Sequence, residues 1–353
     1  TSTGQVLACV SYPGYDNNRL ANNMDSTYYN QLVTASSRPF YNNATQEKTA
    51  PGSTYKPLSA IAGLTEGVIS TDSRLPCHGI YEKIEPNPKC WIYPNAHGSL
   101  DVSGAIENSC NSFFYEVGYR LSLKDNGINS ISQDNNQGDA TNAYYSSELG
   151  LQKLSKYAQM FGLGTTSGME IPEADPQISD DSSVPSAIGQ GTNNYTVSQI
   201  NRYVTAVANR GTVYSLSLID KTTDSNGKLI KDYTPEVVNQ MDEISSSTWD
   251  LVHNGMESMV KSSSTFAGMD ISMGGKTGTA QYSKIHADNV LFVGYAPADS
   301  PEISIAVRIA NGYASTYAAE IGRDITKVYF NPESADELLQ GYASSLGTAG
   351  AGD

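Results

Sequence analysis

The chain has 353 residues, 39% hydrophobic and 17% charged, enough for one large or two smaller domains with a sizeable core. Its 37 acidic and 22 basic residues give a formal net charge of −15 and a pI near 4.6, which excludes a nucleic-acid surface built on clustered lysine and arginine. With no run of about 18 apolar residues and no signal peptide, these residues are expected neither to cross a membrane nor to direct their own export.

In chain order, Gln5 to Ser11 predicts a strand ended by Pro13-Gly14, with Cys9 as a core residue in its apolar alternation. Asn17 to Lys48 is polar with little periodicity and predicts mostly loop. Pro51-Gly52-Ser53-Thr54-Tyr55-Lys56-Pro57 then leads into the apolar run Leu58 to Leu64, a helix from Ser53 to about Gly67. Between Ile69 and Ser99, Pro76, Pro86, Pro88 and Pro94 exclude a long helix. Asp101 to Leu121 predicts two short helices broken at Ser109-Cys110-Asn111. Lys124 to Ser146 is rich in Asn, Asp, Gly, Ser and Gln and reads as a flexible surface insertion. Leu149 to Phe161, Thr196 to Asn209 and Ser247 to Val260 predict amphipathic helices.

The last third is β-rich over Asp270 to Gln281, Asn289 to Ala296 and Glu302 to Ala310, where Ile303, Ile305, Val307 and Ile309 alternate as a strand buried on one face requires. A closing helix follows over Ala318 to Phe330, and the tail 332–353 reads as frayed. The expected architecture is α/β of the α+β kind: an antiparallel sheet built from the N- and C-terminal parts and flanked by helices, with a mainly helical subregion, about 70–185, inserted between them.

Ser53 and Lys56, three residues apart, share one face of a first helical turn. A serine hydroxyl needs a neighbour to take its proton, and a lysine does so only when burial or nearby positive potential depresses its pKa. A capping serine followed by a solvated lysine has the same spacing. What separates the two readings is the company this pair keeps: Ser109-Cys110-Asn111 follows at a helix break, and Lys276-Thr277-Gly278-Thr279 lies on a predicted strand. In that order, Ser-x-x-Lys, Ser-x-Asn and Lys-Thr-Gly resemble the triple signature of penicillin-recognising serine enzymes.

The chemistry accounts for the residue types. Ser53 attacks a carbonyl, Lys56 takes its proton, Ser109 relays a proton to the leaving nitrogen, and Asn111 binds Lys56 and a substrate amide. Lys276 is expected to help keep Lys56 neutral and to attract a substrate carboxylate, with Thr277 and Thr279 offering hydroxyls to it. Gly278 leaves the sheet edge clear for a substrate strand, and the backbone N–H groups of Ser53 and Thr279 are the expected oxyanion hole.

With Phe161-Gly162-Leu163-Gly164, Ile188-Gly189-Gln190-Gly191 and Thr279-Ala280-Gln281 added, nearly the whole chain resembles the transpeptidase domain of class B high-molecular-weight penicillin-binding proteins, elongation-type subgroup. Val197, where the family often has proline, is a departure that touches no catalytic position. The resemblance implies a penicillin-binding transpeptidase fold over 1–331 and cross-linking of D-Ala-D-Ala stem peptides of peptidoglycan through an acyl-serine. It also implies covalent inhibition by β-lactams, no cofactor for the chemistry, and a membrane SEDS-family glycosyltransferase as partner. The full-length protein is expected at the extracytoplasmic face of a bacterial membrane, with an anchor and an N-terminal pedestal domain that these residues do not include.

Cys77, Cys90, His97 and Cys110, spaced Cys-x12-Cys-x6-His-x12-Cys, suit a closed tetrahedral Zn²⁺ site. Some members of the resembled subgroup bind zinc in this loop, including through the middle residue of Ser-x-Asn, the position of Cys110. A Cys77–Cys90 disulfide with Cys110 as a buried thiol is the alternative. His78 adjoins Cys77 and is the weaker ligand candidate. Among enzymatic rivals, a class A β-lactamase would carry Glu-x-x-Leu-Asn between Asn111 and Lys276, and no such sequence occurs there. A D,D-carboxypeptidase differs only in the acyl acceptor, and a β-lactam sensor or scaffold is the non-enzyme reading.

Overall fold

In the computed structural model, residues 1–124, 145–280 and 287–338 are described. Most of the 124–146 stretch, Gln281 and the end of the tail lie outside them.

The C-terminal third forms the sheet. Strands β7 (Gly274–Ala280), β8 (Asn289–Ala296) and β9 (Ile303–Ile309) pair antiparallel in that order. The registers run from Gly274 opposite Tyr295 to Ala280 opposite Asn289, and from Val290 opposite Ile309 to Ala296 opposite Ile303. β8 is buried throughout, and its side chains alternate between two apolar clusters. Leu291, Val293 and Tyr295 join the larger core beneath the sheet, and Val290, Phe292 and Ala296 a smaller one above it.

The larger core is helical. The first turn of the Ser-x-x-Lys segment is a 3₁₀ turn, Gly52–Tyr55, which runs directly into α2 (Lys56–Thr65) with Pro57 in its opening turn. Around it pack α4 (Asn111–Leu121), α5 (Ser147–Met160), α7 (Val197–Ala208) and α8 (Ser246–Ser262). Helix α7 opens on a capping box, Thr196 with Gln199. The Asp101–Leu121 segment breaks as the sequence predicts, into α3 (Val102–Glu107) and α4. Two short strands, β1 (Leu75–Cys77) and β2 (Gly98–Leu100), close the proline-rich loop into a hairpin-like unit. The upper cluster lies under α9 (Ser315–Phe330), whose Ala318, Ala319 and Gly322 let it sit close on Phe292. Past it, Pro332–Ser334 is a 3₁₀ turn and Ala335–Leu338 a short helix, α10.

Two expectations fail, the Gln5–Ser11 strand and Cys9 as a core residue. Among the described residues, the Gln5–Ser11 strand does not form: Gln5 makes one parallel bridge to Ser217, and Leu7 and Val10 are exposed. The segment does not pair with either edge of the sheet, which is C-terminal only. Cys9 is therefore half-buried rather than core. The 17–48 stretch is mostly loop as expected but also contains α1 (Ser26–Thr34), whose N-cap Asp25 accepts the Tyr28 N–H and which buries only Tyr28 and Leu32. Two inward residues in a polar context leave almost no periodic signal. The segment 212–240 also holds four short strands, β3 (Thr212–Tyr214) paired with β6 (Val237–Gln240) and β4 (Lys221–Thr223) with β5 (Leu229–Asp232), which the sequence did not announce.

Candidate active site and metal centre

The three motifs meet where α2 begins. Gly52 has φ +52°, and a Cβ there would lie 2.5 Å from the Thr279 carbonyl oxygen; on the other side, a Cβ on Gly278 would lie 2.8 Å from Thr54 Cγ2. Only glycine at both points lets the Ser53 turn lie against β7. The Gly52 N–H donates to the Gly189 carbonyl (3.0 Å), so the Gly-Gln-Gly segment braces the turn from a third direction. The Lys56 N–H donates to the Ser53 carbonyl, which fixes serine and lysine in a single turn.

Lys56 is fully buried, and its Nζ donates to the Ser109 carbonyl (2.7 Å), Ser109 Oγ (3.1 Å) and Asn111 Oδ1 (2.7 Å). The solvated-lysine reading of Ser-x-x-Lys is thereby excluded. Burial pushes the Lys56 ammonium down to about 7, while the Cys110 and Cys90 thiols, when ionised, pull it up. The sequence reading credited Lys276 with keeping Lys56 neutral, but desolvation is the larger cause. Lys276 is itself fully buried, held well below the usual lysine range by burial and then by the Lys56 charge. It lies on the face of β7 opposite Val293, the face turned to the helical core, and its Nζ donates to the Thr277 carbonyl (3.1 Å). Thr277 is half-buried and Thr279 exposed.

Ser109 has φ +51°, left-handed backbone at a non-glycine residue. It terminates α3, its N–H donating to Ile106 and that of Cys110 to Ala105. This turn aims both the carbonyl and Oγ of Ser109 at Lys56.

One residue that sequence reasoning missed is Tyr203 in α7. Its hydroxyl donates to the Thr54 carbonyl and accepts the Leu58 N–H, both at 3.2 Å, clamping the turn that carries Ser53. Its only sequence signal was a place in an amphipathic helix. Ser59 Oγ likewise donates to the Ala187 carbonyl (2.7 Å), fixing α2 to the segment that leads to Gly189.

Beyond Ser109 lie the cysteines. One ligand atom each of Cys77, Cys90, His97 and Cys110 falls within 4.8 Å of all the others. The cysteines are unbonded, so the disulfide alternative is not what the structure holds. His97 Nδ1 is 3.5 Å from Cys77 Sγ and 3.6 Å from Cys90 Sγ, close to the roughly 3.6 Å edge of a tetrahedron with ordinary Zn–S and Zn–N bonds. His78 is exposed and outside the group. Helix α4 has no side-chain N-cap; instead Cys90 sulfur takes the N–H groups of Ser112 and Asn111 at its start. The Cys110 hydrogen bond first, and then these amides and that of Ile92, push the Cys90 thiol far down, while Cys110 is pushed up in turn. The donor set and the two sulfur–nitrogen distances fit a tetrahedral metal.

The loop that carries Cys90 has a second anchor. Glu116, buried in α4, accepts from Tyr81 hydroxyl (2.8 Å), Lys83 Nζ (2.9 Å) and Arg120 Nε (2.7 Å). Burial opposes its ionisation, but the Lys83 and Arg120 charges outweigh that and keep its carboxyl below the usual range.

A family model described as the penicillin binding protein transpeptidase domain matches residues 1–327. The peptidoglycan D,D-transpeptidase MrdA of Haemophilus influenzae is 26% identical over 375 residues, covering 92% of this chain and 51% of that protein. The chain therefore spans about half the length of the curated relatives it matches. Among solved structures, PBP2 of Pseudomonas aeruginosa aligns with TM-score 0.76 at 26% identity, covering 97% of this chain and 72% of that one. Penicillin-binding protein A of M. tuberculosis, as its imipenem acyl-enzyme complex, shares the fold with TM-score 0.76 at 22% identity, covering 94% and 72%.

Proposed function

The chain belongs to the family of penicillin-binding protein transpeptidase domains, and we propose that it is a serine D,D-transpeptidase which cross-links peptidoglycan stem peptides through an acyl-enzyme on Ser53. The observation that carries this reading is a buried Lys56 whose Nζ is held by Ser109 and Asn111 and titrates near 7. A neutral Lys56 accepts the Ser53 proton as Oγ attacks the penultimate D-Ala carbonyl of a D-Ala-D-Ala end. The tetrahedral oxyanion is received by the backbone N–H groups of Ser53 and Thr279. The proton passes from Lys56 through Ser109 Oγ to the departing D-Ala amine, leaving the acyl-serine. An amine of a second stem peptide then attacks that ester, its proton returns through the same pair, and Ser53 Oγ is released. Lys276, Thr277 and Thr279 bind the terminal carboxylate, and Asn111 the peptide amide.

β-Lactams enter the same route and stop at the acyl-serine. Cys77, Cys90, His97 and Cys110 would hold Zn²⁺, which would supply no chemistry at the substrate; holding it would tie the 77–97 loop to Cys110 and offset thiolate charge beside Lys56. The working location is the outer face of a bacterial membrane, beside a glycosyltransferase that makes the strands to be cross-linked. Among the described residues no helix is long and apolar enough to cross a membrane.

The test is incubation with a labelled penicillin. A stable adduct on the parent and none on Ser53→Ala supports the reading; rapid release of the label makes the protein a β-lactamase, and no adduct on the parent removes the acyl-serine altogether. Lipid-linked substrate with and without an acceptor amine then separates cross-linking from carboxypeptidase hydrolysis.

A further inference from the structure

We propose that Cys90 and Cys110 form an oxidation site: a peroxide joins the two sulfurs in a disulfide, and the bond pulls on the turn that carries Ser109 and Asn111. The consequence for activity rests on the acyl-serine reading; the bond itself does not.

The three buried sulfurs of the cluster are not equivalent. Cys90 Sγ lies at the start of α4, where it takes the N–H groups of Ser112 and Asn111, that of Ile92 from its own loop, and the Cys110 hydrogen bond. Amide donors at a helix start favour a sulfur that carries negative charge, the form that attacks an oxidant. The Cys110 thiol therefore touches the sulfur best placed to react first. Cys77 Sγ is turned instead toward Ser112 Oγ and His97 Nδ1, both at 3.5 Å. Cys9 lies outside the cluster, its sulfur accepting from Asn42 Nδ2 (4.0 Å).

Burial keeps bulky oxidants out, but the cover on the loop side is thin. Cys77, Cys90 and Cys110 are each 2% exposed or less, whereas His97 is half-buried and Trp91, edge-on against its ring, is largely exposed. A Cβ added at Gly98 would meet nothing within 4 Å. A peroxide is small enough to pass where a protein disulfide is not. The Cys90 sulfur attacks one peroxide oxygen, the O–O bond breaks, and water leaves with the thiol proton, giving a sulfenic acid. Cys110 sulfur then attacks Cys90 Sγ, the S–O bond breaks, and a second water leaves with the Cys110 proton. Two electrons pass from the sulfurs to the peroxide, and the disulfide remains.

Two effects follow from the bond. Cys77 and His97 are left as donors, too few for a closed tetrahedral site. The sulfurs close to about 2.05 Å, where sulfurs sharing a tetrahedral zinc stand roughly 3.8 Å apart. Cys110 is chained between the two residues that hold Lys56 Nζ, Ser109 Oγ at 3.1 Å and Asn111 Oδ1 at 2.7 Å, so the displacement reaches the base.

Reduced protein supplied with zinc is treated with hydrogen peroxide, then followed by non-reducing peptide mass spectrometry, a chromogenic zinc chelator and the rate of acylation by labelled penicillin. The expected result is a linked Cys90–Cys110 peptide pair, zinc released in step with the bond, and acylation roughly tenfold slower, as misplacement of a catalytic group gives. Dithiothreitol with zinc should restore the parent. Cys77→Ser should still form the bond and Cys110→Ser should not, each with the parent's circular-dichroism melt; the parent's own linkage map decides if either variant fails to fold. Cys90 and Cys110 left as thiols, or passing to sulfinic acids without a bond, overturn the inference. So does a bond that runs to Cys77, or an acylation rate indifferent to the bond. Absence of an adduct on the unoxidised parent would instead strike the acyl-serine reading, and the linkage map would still judge the oxidation site.

Discussion

Lys56 sits between two opposing pulls, and which one prevails sets the pH at which the site works. Complete burial lowers its pKa, while ionised Cys110 and Cys90 raise it, and burial wins, giving about 7. In the proposed mechanism the base is the neutral amine, so the group is inactive when protonated. Acylation by a penicillin should therefore be flat above about pH 8 and fall about tenfold per unit below pH 7. A stopped-flow pH profile checks this; a rate unchanged between pH 6 and 8 would mean that Lys56 is not the base. Lys56→Arg keeps the charge but cannot lose a proton, and should slow acylation by about 10³-fold above pH 8, with the gap narrowing as the parent falls off below pH 7. These residues were legible in the sequence because the chemistry dictates their types and the chain order supplied two partner motifs. The cause of the Lys56 shift was not: desolvation is a property of the packed core, so the sequence reading gave Lys276 a role that burial fills. Tyr203 was illegible for the same reason, since its hydrogen bonds join residues nearly 150 positions apart.

The elements that matter most are short, and each is held by contacts from outside itself. The 3₁₀ turn of Ser53 has no capping side chain and depends on close backbone contact with Gly189 and β7. Gly52→Ala would drive a methyl group into the Thr279 carbonyl and strain a left-handed φ; the expected cost is about 2 kcal/mol or more, with slower acylation because β7 and the turn move apart. The Cys90 loop has two anchors, the Cys77–Cys90–His97–Cys110 cluster and Glu116. Cys110→Ser should cut bound zinc from about one equivalent to well below half, measured by elemental analysis; a metal-free, fully active parent would remove zinc from the account. Glu116→Ala leaves Arg120 and Lys83 without their shared carboxylate. Because Lys83 can turn to water, the loss should sit near the low end for a broken buried pair, roughly 3 kcal/mol, visible as a drop of several degrees in Tm. Helices with strong amphipathic pattern were readable within a residue or two. The Gln5–Ser11 strand was misread because alternation states which faces a strand has, not whether a sheet edge awaits it.

At the scale of the whole molecule, the order of the motifs located the cleft, because α2 had to lie between the strand bearing Lys276 and the helices bearing Ser109. The depth of the core that joins these walls was not legible. A single apolar cluster includes Tyr55 from the Ser53 turn, Phe113 from α4, Tyr203 from α7, and Val293 and Tyr295 from the sheet. Among the described residues no solvated seam divides the helical side from the sheet side; the helix that begins at Lys56, beside Ser53, is shared by both. A chain of this length ordinarily exceeds the size at which all-or-none unfolding is expected, and an α+β organisation with an inserted region invites stepwise loss. The shared core argues for the opposite outcome. Trp249, 3% exposed, reports on that core, whereas Trp91, 62% exposed, packs on His97 and reports on the Cys90 loop. In a Trp91→Phe background, Trp249 fluorescence and far-UV circular dichroism should give coincident thermal transitions. In Trp249→Phe, chelation should change Trp91 emission well below that temperature, because the loop can loosen without the core. Separate transitions for Trp249 and for the helical signal would mean that the two walls of the cleft fold as independent units, and that Ser53 is positioned by an interface rather than by a common interior.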